Sequence, residues 1–346
     1  MLFLAYFPNS LESKGGFAHR IFQIDELFKN ISRVYLYVSL RKYLIPQRTK
    51  KGTLKEYRLN IVYFPFIIYL ILKAKLIYVH SIYNTRFIFP VLFMSKAKVF
   101  VELHGALPEE VLFTKNNLIL FKVYSLLEMI IVKRANFLVS VSEALANHIT
   151  QKWKINRHIF LIPMVTIGKI IDEFKLNTRK IDFIYVGGIH RWQCLNKVIQ
   201  VLEMYPNKNA KVFLSDLNHI YKFPDYTDVS SIAPSEVSKY LLDSKLGFVI
   251  RDNHILNKVS CPTKLIEYML YGVVPIVDFE DIGDFLNLGY MYVKYTDLID
   301  GVVLDDEKIC KIVQTNIDVI KKINILQQAG LAKLKLEIIH LLDLAK

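Results

Sequence analysis

Short apolar stretches alternate with longer helix-like segments along the whole chain. The apolar stretches are rich in β-branched and aromatic residues, which is typical of buried strands, and the segments between them are long enough for helices. In the first half the predicted strands are residues 2–6, 34–38, 60–63, 76–79, 99–103 and 137–141, and in the second half they are 183–186, 211–214, 246–250 and 274–277. This alternation predicts an α/β protein with parallel sheets that helices cover on both faces.

One helical segment and one polar stretch indicate how the chain is organised. In residues 118–132, Lys122, Ser125 and Glu128 form one narrow polar stripe on an otherwise apolar helix, which predicts that the helix is almost wholly buried. A polar stretch at 172–180 separates the two series of strands, so the domain boundary is expected near 165–180. We expect an N-terminal domain over 1–165, a second domain over 166–326 and a last helix in 327–346, at about 327–342.

The segment 260–277 carries the most specific pattern. Pro262 suits the first turn of a helix and Gly272 suits its exit into the apolar strand 273–277. The helix amides near Thr263, together with the ammonium group of Lys264, would form an anion site, and Glu267 falls on the same helical face. One helix could therefore hold a diphosphate and a pair of sugar hydroxyls.

Charge and cysteine content narrow the class of partner. The 346-residue chain has 45 Lys and Arg against 32 Asp and Glu, a net charge of +13, which favours an anionic partner such as a nucleotide, a phospholipid surface or nucleic acid. The cations are spread along the chain without a basic tract, so no nucleic-acid partner is expected. The three widely spaced cysteines, Cys194, Cys261 and Cys310, indicate neither a disulfide framework nor a metal motif, and they favour a reducing, cytoplasmic setting.

No membrane-spanning helix is expected. Residues 1–6 are interpreted as a first strand because they lack a basic leader and a cleavage site, and the apolar run 61–72 is interrupted by Pro65 and is shorter than the roughly 20 residues that span a bilayer. Two interpretations of 64–72 stay open. It is a deeply buried helix, or part of it rests, with Lys73 and Lys75, on the anionic inner leaflet of a membrane.

The 260–277 segment resembles the nucleotide-binding signature of GT-B glycosyltransferases, especially the retaining family 4. In that family a Glu before the pattern Y-M-x-x-G-x-x-P-I holds the ribose of a sugar nucleotide, and this Glu corresponds to Glu267. A second family Glu, eight positions earlier, is replaced by Val259. The resemblance implies two doubly wound, Rossmann-like domains that face each other across a cleft, with the C-terminal helix packed back on the N-terminal domain.

Loops at strand ends supply the other candidate site residues. Gly15 and Gly16 precede a predicted helix over 17–29 and fit the family's acceptor-side glycine loop, although a simple loop-to-helix turn is equally consistent with them. By the resemblance, His104, which follows the strand 99–103, contacts the donor sugar and supports charge at its anomeric carbon; a structural hydrogen bond is the alternative. Glu109 either favours the first turn of a helix or contacts the acceptor.

The loop 187–193 opens the second domain and is similar to the family's glycine loop beneath the diphosphate. Gly187 and Gly188 would approach the donor closely, Arg191 would contact phosphate, and Trp192 would stack on a base or sugar or else anchor the next helix. Lys197 is a further local cation. Arg251, just past the strand 246–250, would hold phosphate or cap a helix.

These residues lead to one expected function and two rivals. The resemblance implies transfer of a sugar, with retention, from a nucleoside-diphosphate donor to a saccharide or lipid-linked saccharide acceptor in surface polysaccharide biosynthesis, such as that of a capsule or O antigen. Catalytic roles are expected for His104 and Lys264, with no cofactor and no metal, in the cytoplasm or at the inner face of the membrane. The rivals are a nucleotide-sugar epimerase of the same fold and a non-catalytic nucleotide-sugar or polysaccharide binding protein.

Overall fold

A computed structural model describes residues 1–8, 16–164, 170–171, 173–217 and 221–344. The chain forms two compact units. Unit 1 consists of Met1–Pro163 with Leu326–Lys346, and unit 2 consists of Met164–Ile325.

Unit 1 is built on an eight-stranded sheet in the order β3-β4-β2-β1-β5-β6-β7-β8. All neighbouring strands are parallel except the edge pair β3 and β4, which is antiparallel. The strands are β1 (Leu2–Leu4), β2 (Arg33–Ser39), β3 (Gln47–Lys51), β4 (Leu54–Asn60), β5 (Leu76–Val79), β6 (Lys98–Leu103), β7 (Phe137–Ser140) and β8 (His158–Leu161).

Helices connect these strands, as parallel pairing requires. They are α1 (Gly16–Leu27), α2 (Phe64–Lys73), α3 (Phe89–Met94), α4 (Leu107–Lys115), α5 (Leu118–Arg134) and α6 (Glu143–Trp153). The core of the unit gathers buried side chains of β1, α1 and β6, among them Phe3, Ile21 and Phe100. Leu334 and Ile338 near the C-terminus belong to the same core.

Unit 2 is a six-stranded, all-parallel sheet in the order β11-β10-β9-β12-β13-β14. Its strands are β9 (Ile181–Gly187), β10 (Ala210–Leu214), β11 (Asp228–Ser230), β12 (Ser244–Phe248), β13 (Val274–Val277) and β14 (Val293–Lys294). Its helices are α7 (Leu195–Met204), α8 (Val237–Leu242), α9 (Ile255–Lys258), α10 (Thr263–Leu270), α11 (Phe285–Leu288) and α12 (Tyr295–Ile299). Apolar cores cover both faces of the sheet.

The last helix, α13 (Asp306–Leu344), begins in unit 2 and ends in unit 1. The predicted helix at 327–342 is its second half. The predicted fold class, α/β with two doubly wound Rossmann-like halves, is confirmed by the two parallel sheets.

The predicted strand at 60–63 is wrong. Strand β4 ends at Asn60, whose side chain accepts a hydrogen bond from the amide of Val62 and starts a short 3₁₀ turn instead. Strand β4 itself was not predicted, because it carries polar side chains that are paired within the sheet. Glu56 accepts a hydrogen bond from Arg58, and it also accepts one from the backbone amide of Phe7.

The prediction that the helix over 118–132 is almost wholly buried is also wrong. Helix α5 has nearly the predicted bounds, but Ile119 is 75% exposed and Val123 is 54% exposed. The polar stripe partly faces inward, because Glu128 is fully buried and accepts hydrogen bonds from Lys152 and Trp153. Apolar side chains therefore take the solvent-facing side that the polar stripe was expected to occupy.

Helix α2 is not deeply buried either. Ile67 and Ile71 are fully buried against the unit, whereas Tyr69 and Leu72 are exposed. Among the described residues, no helix combines the length and the apolar character needed to cross a membrane.

Candidate functional site

The strand order of unit 2 locates its binding edge. Counted within the unit, β11-β10-β9-β12-β13-β14 is the order 3-2-1-4-5-6, which reverses direction between β9 and β12. Open parallel sheets bind ligands beyond the carboxyl ends of the strands at such a reversal. Strand β9 ends at Gly187, and Arg251 follows the end of β12, so these two predicted site residues flank the reversal. Helix α10, which precedes β13, brings Lys264 to the same place.

The side chain of Lys264 is buried against the glycine loop. Its Nζ lies 3.8 Å from the centroid of the Tyr185 ring and donates a hydrogen bond of 3.0 Å to Gln193 Oε1. A Cβ atom on Gly187 would lie 2.7 Å from this Nζ, so glycine leaves the space that the ammonium group occupies. Burial lowers the pKa of Lys264 well below its usual range, and repulsion from Arg251 lowers it further.

Arg251 is the second cation of this site. Its Nη1 donates a hydrogen bond of 3.0 Å to Asn257 Oδ1, while its Nε is buried without a hydrogen-bond partner. Burial lowers the pKa of Arg251 to about 10. Asn257 is itself fixed, because its amide donates to the Asp252 carbonyl at 2.7 Å. The guanidinium group is thus held in place, and its buried Nε–H has no hydrogen-bond partner among the described residues.

Together the two cations form a site for an anion. In the described part of the chain no carboxylate oxygen lies within 4.0 Å of a side-chain nitrogen of Lys264 or Arg251. Buried charges in proteins are normally paired, because an unpaired one loses its hydration without compensation. Glu267 attracts Lys264 only from beyond this distance, so two cations face one more distant carboxylate, and the excess positive charge points to an anionic ligand.

Glu267 lies one helical turn after Lys264 on α10 and is half-buried. Burial raises its pKa to about 7, and the positive charge of Lys264 acts in the opposite direction. A carboxylate here can accept two hydrogen bonds from neighbouring hydroxyl groups. Thr263 is the first residue of α10, and Pro262 before it provides no side-chain cap, which suits an anion at this helix terminus.

The rest of the glycine loop is fixed by internal contacts. The Tyr185 hydroxyl donates to the carbonyl of Gly188 at 2.6 Å, and the Trp192 ring stacks on His190 with centroids 4.5 Å apart. Arg191 is exposed on the loop, so the structure does not bring it into the buried cation pair. Lys197, another predicted cation, forms an ion pair with Asp278 instead.

In unit 1, His104 follows β6 and belongs to a buried ionic network. Its Nε2 lies 3.6 Å from Glu102 Oε2 and has no hydrogen-bond partner. His80 Nδ1 lies 2.9 Å from the same oxygen, and Arg20 forms an ion pair with the other oxygen of Glu102. Burial alone would raise the pKa of Glu102, but the charge of Arg20 holds it well below its usual range. An ionised carboxylate therefore lies next to the His104 ring.

This network was not predicted from the sequence, although a signal was present. Glu102 interrupts the apolar strand β6, and Arg20 lies on the buried side of α1. A charged residue inside an apolar strand implies a buried partner. Residues distant in sequence provide those partners, so periodicity alone could not identify them.

Two of the predicted acceptor-side residues, Glu109 and Gly16, lie at the starts of helices. Glu109 is in the first turn of α4 and forms an ion pair with Lys152 at 2.7 Å. Burial would raise the pKa of Glu109, but hydrogen bonds from His148 and Lys152 lower it to about 2. Its carboxylate thus has structural partners. Gly16 is the first residue of α1, and Gly15 lies outside the described residues.

Comparisons with known proteins identify the fold. No protein-family profile matches the chain, and no curated protein matches its sequence. Among solved structures, the chain is similar to a trehalose-6-phosphate structure from E. coli bound with UDP-2-fluoro glucose, with a TM-score of 0.64, 13% identity, and coverage of 96% of this chain and 98% of that one. It is also similar to an alpha,alpha-trehalose-phosphate synthase (UDP-forming) from Burkholderia vietnamiensis, with a TM-score of 0.63, 9% identity and the same coverage. An alpha-glucosyltransferase in complex with UDP and DNA matches with a TM-score of 0.55 and 12% identity, over 96% of this chain and 98% of that one. At this identity the likeness establishes the fold, that of the GT-B glycosyltransferases.

Proposed function

We propose that this protein is a glycosyltransferase that moves a sugar from a nucleoside-diphosphate donor to a saccharide or lipid-linked saccharide acceptor. The observation that carries the proposal is the pair Lys264 and Arg251 at the strand reversal of unit 2, two neighbouring cations that form no ion pair within 4.0 Å among the described residues. A diphosphate supplies the missing negative charge. The likeness in fold to solved structures bound with UDP and UDP-2-fluoro glucose supports the same ligand class.

Each site residue has a proposed role toward the donor. Lys264, Arg251 and the first amides of α10 bind the diphosphate, and Gly187 with Gly188 leaves room for it. Glu267 accepts hydrogen bonds from the two ribose hydroxyls. Arg191 is the proposed further contact to phosphate, and Trp192 the proposed contact to the base or the sugar. The role of His104 toward the transferred sugar rests on the family resemblance.

The proposed reaction breaks the bond between the anomeric carbon and the diphosphate oxygen and forms a bond from that carbon to an acceptor oxygen. The electron pair of the broken bond stays on the diphosphate, which also takes the acceptor's hydroxyl proton. Lys264 is the proposed catalytic cation, since fixed positive charge stabilises the leaving group as its negative charge grows. We propose retention of anomeric configuration from the family resemblance, and a reaction that needs no metal because these cations and the helix terminus neutralise the diphosphate.

Surface polysaccharide biosynthesis at a membrane is a finer part of the proposal, and the surface of unit 1 supports membrane contact. Helix α3 contacts both α2 and α5. These three neighbouring helices expose large apolar side chains, namely Phe64, Tyr69, Leu72, Phe93, Met94, Leu118, Ile119, Val123 and Leu126. The sequence between Glu56 and Glu102 has no acidic residue, yet it contains Lys73, Lys75 and Lys96. Apolar side chains beside cations suit the anionic leaflet of a membrane.

Vesicle cosedimentation tests the membrane contact. The protein should sediment with phosphatidylglycerol vesicles but not with phosphatidylcholine vesicles, and added salt should weaken this binding. Lys73→Glu with Lys75→Glu should reduce binding, whereas Lys50→Glu with Lys51→Glu on the exposed strand β3 serves as the matched control. Equal loss in both double variants, or no sedimentation at low salt, would contradict the contact at α2.

Thermal shift with a nucleotide panel tests the donor site. UDP, GDP, ADP and dTDP are each compared with their monophosphates, because a ligand that binds the native state raises the unfolding temperature. We expect at least one diphosphate to stabilise the protein more than its monophosphate, and Glu267→Ala to reduce that shift. If none of the diphosphates stabilises the protein at millimolar concentration, the proposed function is wrong.

A further inference from the structure

A second binding edge lies within unit 1. Without the antiparallel edge strand β3, the sheet order also reverses direction, here between β1 and β5. A cavity of about 510 Å³ opens beside this reversal, lined by residues at the end of β2, by residues that follow β1, β2 and β5, and by Arg58 near the end of β4. Ligands of doubly wound sheets bind at this position. None of the predicted site residues that the structure describes lines the cavity.

Aromatic rings form much of the cavity wall. Tyr37 contacts Tyr6 and Tyr43 edge-on, with ring centroids 5.9 and 6.1 Å apart and planes nearly perpendicular. Tyr6 is 36% exposed, so the rings are accessible to a ligand. Apolar and aromatic walls with a few polar groups are typical of small-molecule sites, and flat rings suit the C–H faces of a sugar.

Cations without acidic partners complete the cavity. The Arg86 guanidinium carbon lies 3.8 Å from the centroid of the Tyr83 ring, and Arg41 and Lys42 are exposed on the loop after β2. In the described part of the chain these three side chains form no ion pair, and no Asp or Glu lines the cavity. Arg58 differs from these three, because it forms an ion pair with Glu56. The net positive charge of the lining therefore favours an anionic group such as phosphate.

The loop that carries two of these cations is held in a fixed conformation. The Asn60 side chain, 1% exposed, donates to the carbonyls of Leu40 and Lys42 at 3.0 Å each. Ser39 Oγ accepts hydrogen bonds from the amides of Arg41 and Lys42, at 3.3 and 3.1 Å. Tyr43 then adopts a positive φ of 65°, a conformation that bulky residues rarely take. Such local strain concentrates at functional sites.

We propose that this cavity, the Tyr37 cavity, binds the acceptor and that the acceptor is a saccharide carrying phosphate. The aromatic rings would contact the sugar, and Arg86, Arg41 and Lys42 would bind the phosphate. The assignment to the acceptor rests on the proposed glycosyltransferase function. A free sugar phosphate and a saccharide joined to lipid through phosphate share this chemistry.

Calorimetric titration with defined probes tests the site and separates the two sources. Glucose 6-phosphate represents a free sugar phosphate, farnesyl glucosyl phosphate represents a saccharide joined to lipid through phosphate, and glucose and inorganic phosphate are the controls for each half of the ligand. We expect glucose 6-phosphate or farnesyl glucosyl phosphate to bind at least tenfold more tightly than either control, and the tighter of the two identifies the source. If neither probe exceeds inorganic phosphate, the proposal is overturned.

Variants of the cavity cations locate the binding. Arg41→Gln with Lys42→Gln, and separately Arg86→Gln, should weaken the preferred probe at least tenfold, while Lys50→Gln on strand β3 should leave it unchanged. These positions are solvent-exposed or partly exposed, so the fold should survive, and circular dichroism checks this. Unchanged probe affinity in both cavity variants would refute the site.

UDP affinity distinguishes this inference from the proposed function. In the cavity variants it should equal that of the wild-type protein. If the protein binds UDP but binds neither sugar-phosphate probe, only the cavity proposal is overturned. Probe binding without any nucleotide binding overturns the glycosyltransferase proposal and, with it, the acceptor role of the cavity.

Discussion

Replacing Lys264 by methionine should make the ligand-free protein more stable while weakening nucleotide binding. Methionine has a similar length and no charge, so it fills the space beside Gly187 and Tyr185 without the cost of a buried ammonium group. A lysine that served only structure would show the opposite result. The variant therefore separates a structural role from a binding role in one protein.

The magnitude follows from the contacts of the ammonium group. Its favourable contacts are the Tyr185 ring, for which a desolvated cation–π contact contributes about 2 kcal/mol, and one hydrogen bond to Gln193, about 1.5–3 kcal/mol. Against them stand a burial penalty of several kcal/mol and repulsion from Arg251. The penalty is larger, because the pKa of Lys264 is lowered well below 10.5. We expect a net gain of about 1–2 kcal/mol in the free energy of unfolding.

Chemical denaturation and UDP titration measure the two effects, with Lys208→Met on the exposed surface of unit 2 as the control. The loss of one charged contact should weaken UDP binding by about ten- to a hundredfold. Because the folded pKa of Lys264 lies below the unfolded value, the penalty is complete at lower pH and is relieved as pH rises towards 10.5, so the advantage of the variant should shrink with pH. A variant less stable than wild type by more than about 1 kcal/mol, or with unchanged UDP affinity, would refute this reasoning.

Four further variants and a chelator test other parts of the account. In wild type the raised pKa of Glu267, about 7, means that ionisation of this carboxyl destabilises the fold, so stability relative to Glu267→Gln should fall by about 2–3 kcal/mol between pH 4.5 and 7; parallel pH profiles would contradict this. Glu102→Gln should cost about 3–5 kcal/mol because Arg20 is left buried without its ion pair, and Arg20→Met should recover part of that loss in the double variant, which denaturation measures. His104→Ala should abolish sugar transfer and keep UDP affinity, and full activity in an assay of transfer would return this residue to a structural role. Transfer should also survive excess EDTA, and an activity restored only by added divalent metal would show that the reaction depends on one.

Much of the fold could be predicted from sequence because parallel strands buried on both faces are continuous apolar runs. The runs at 76–79 and 274–277 coincide with β5 and β13. Strand β4 could not be found in this way, since its polar residues Glu56 and Arg58 are satisfied by each other. The exposure of α5 was likewise hidden, because apolar periodicity cannot tell a buried face from one left exposed.

The donor site was easier to predict than its surroundings. Lys264 and Glu267 lie on one helix, so local spacing was sufficient to place them together. Arg251 joins them only because β12 lies beside β9 in the sheet, which is a property of topology. The network of Arg20, His80 and Glu102 and the Tyr37 cavity both assemble residues from elements that are distant in sequence, so neither is visible in any single stretch of sequence.

Turnover of nucleotide sugars followed by phosphorus NMR tests the central claim most directly. UDP-, GDP-, ADP- and dTDP-sugars are incubated with wild-type protein and with Glu267→Ala, with and without glucose 6-phosphate. The account predicts that the wild-type protein converts at least one donor to its nucleoside diphosphate and that the variant does so at least tenfold more slowly. Release of a nucleoside monophosphate, isomerisation of the intact donor, or no conversion of any donor would contradict it.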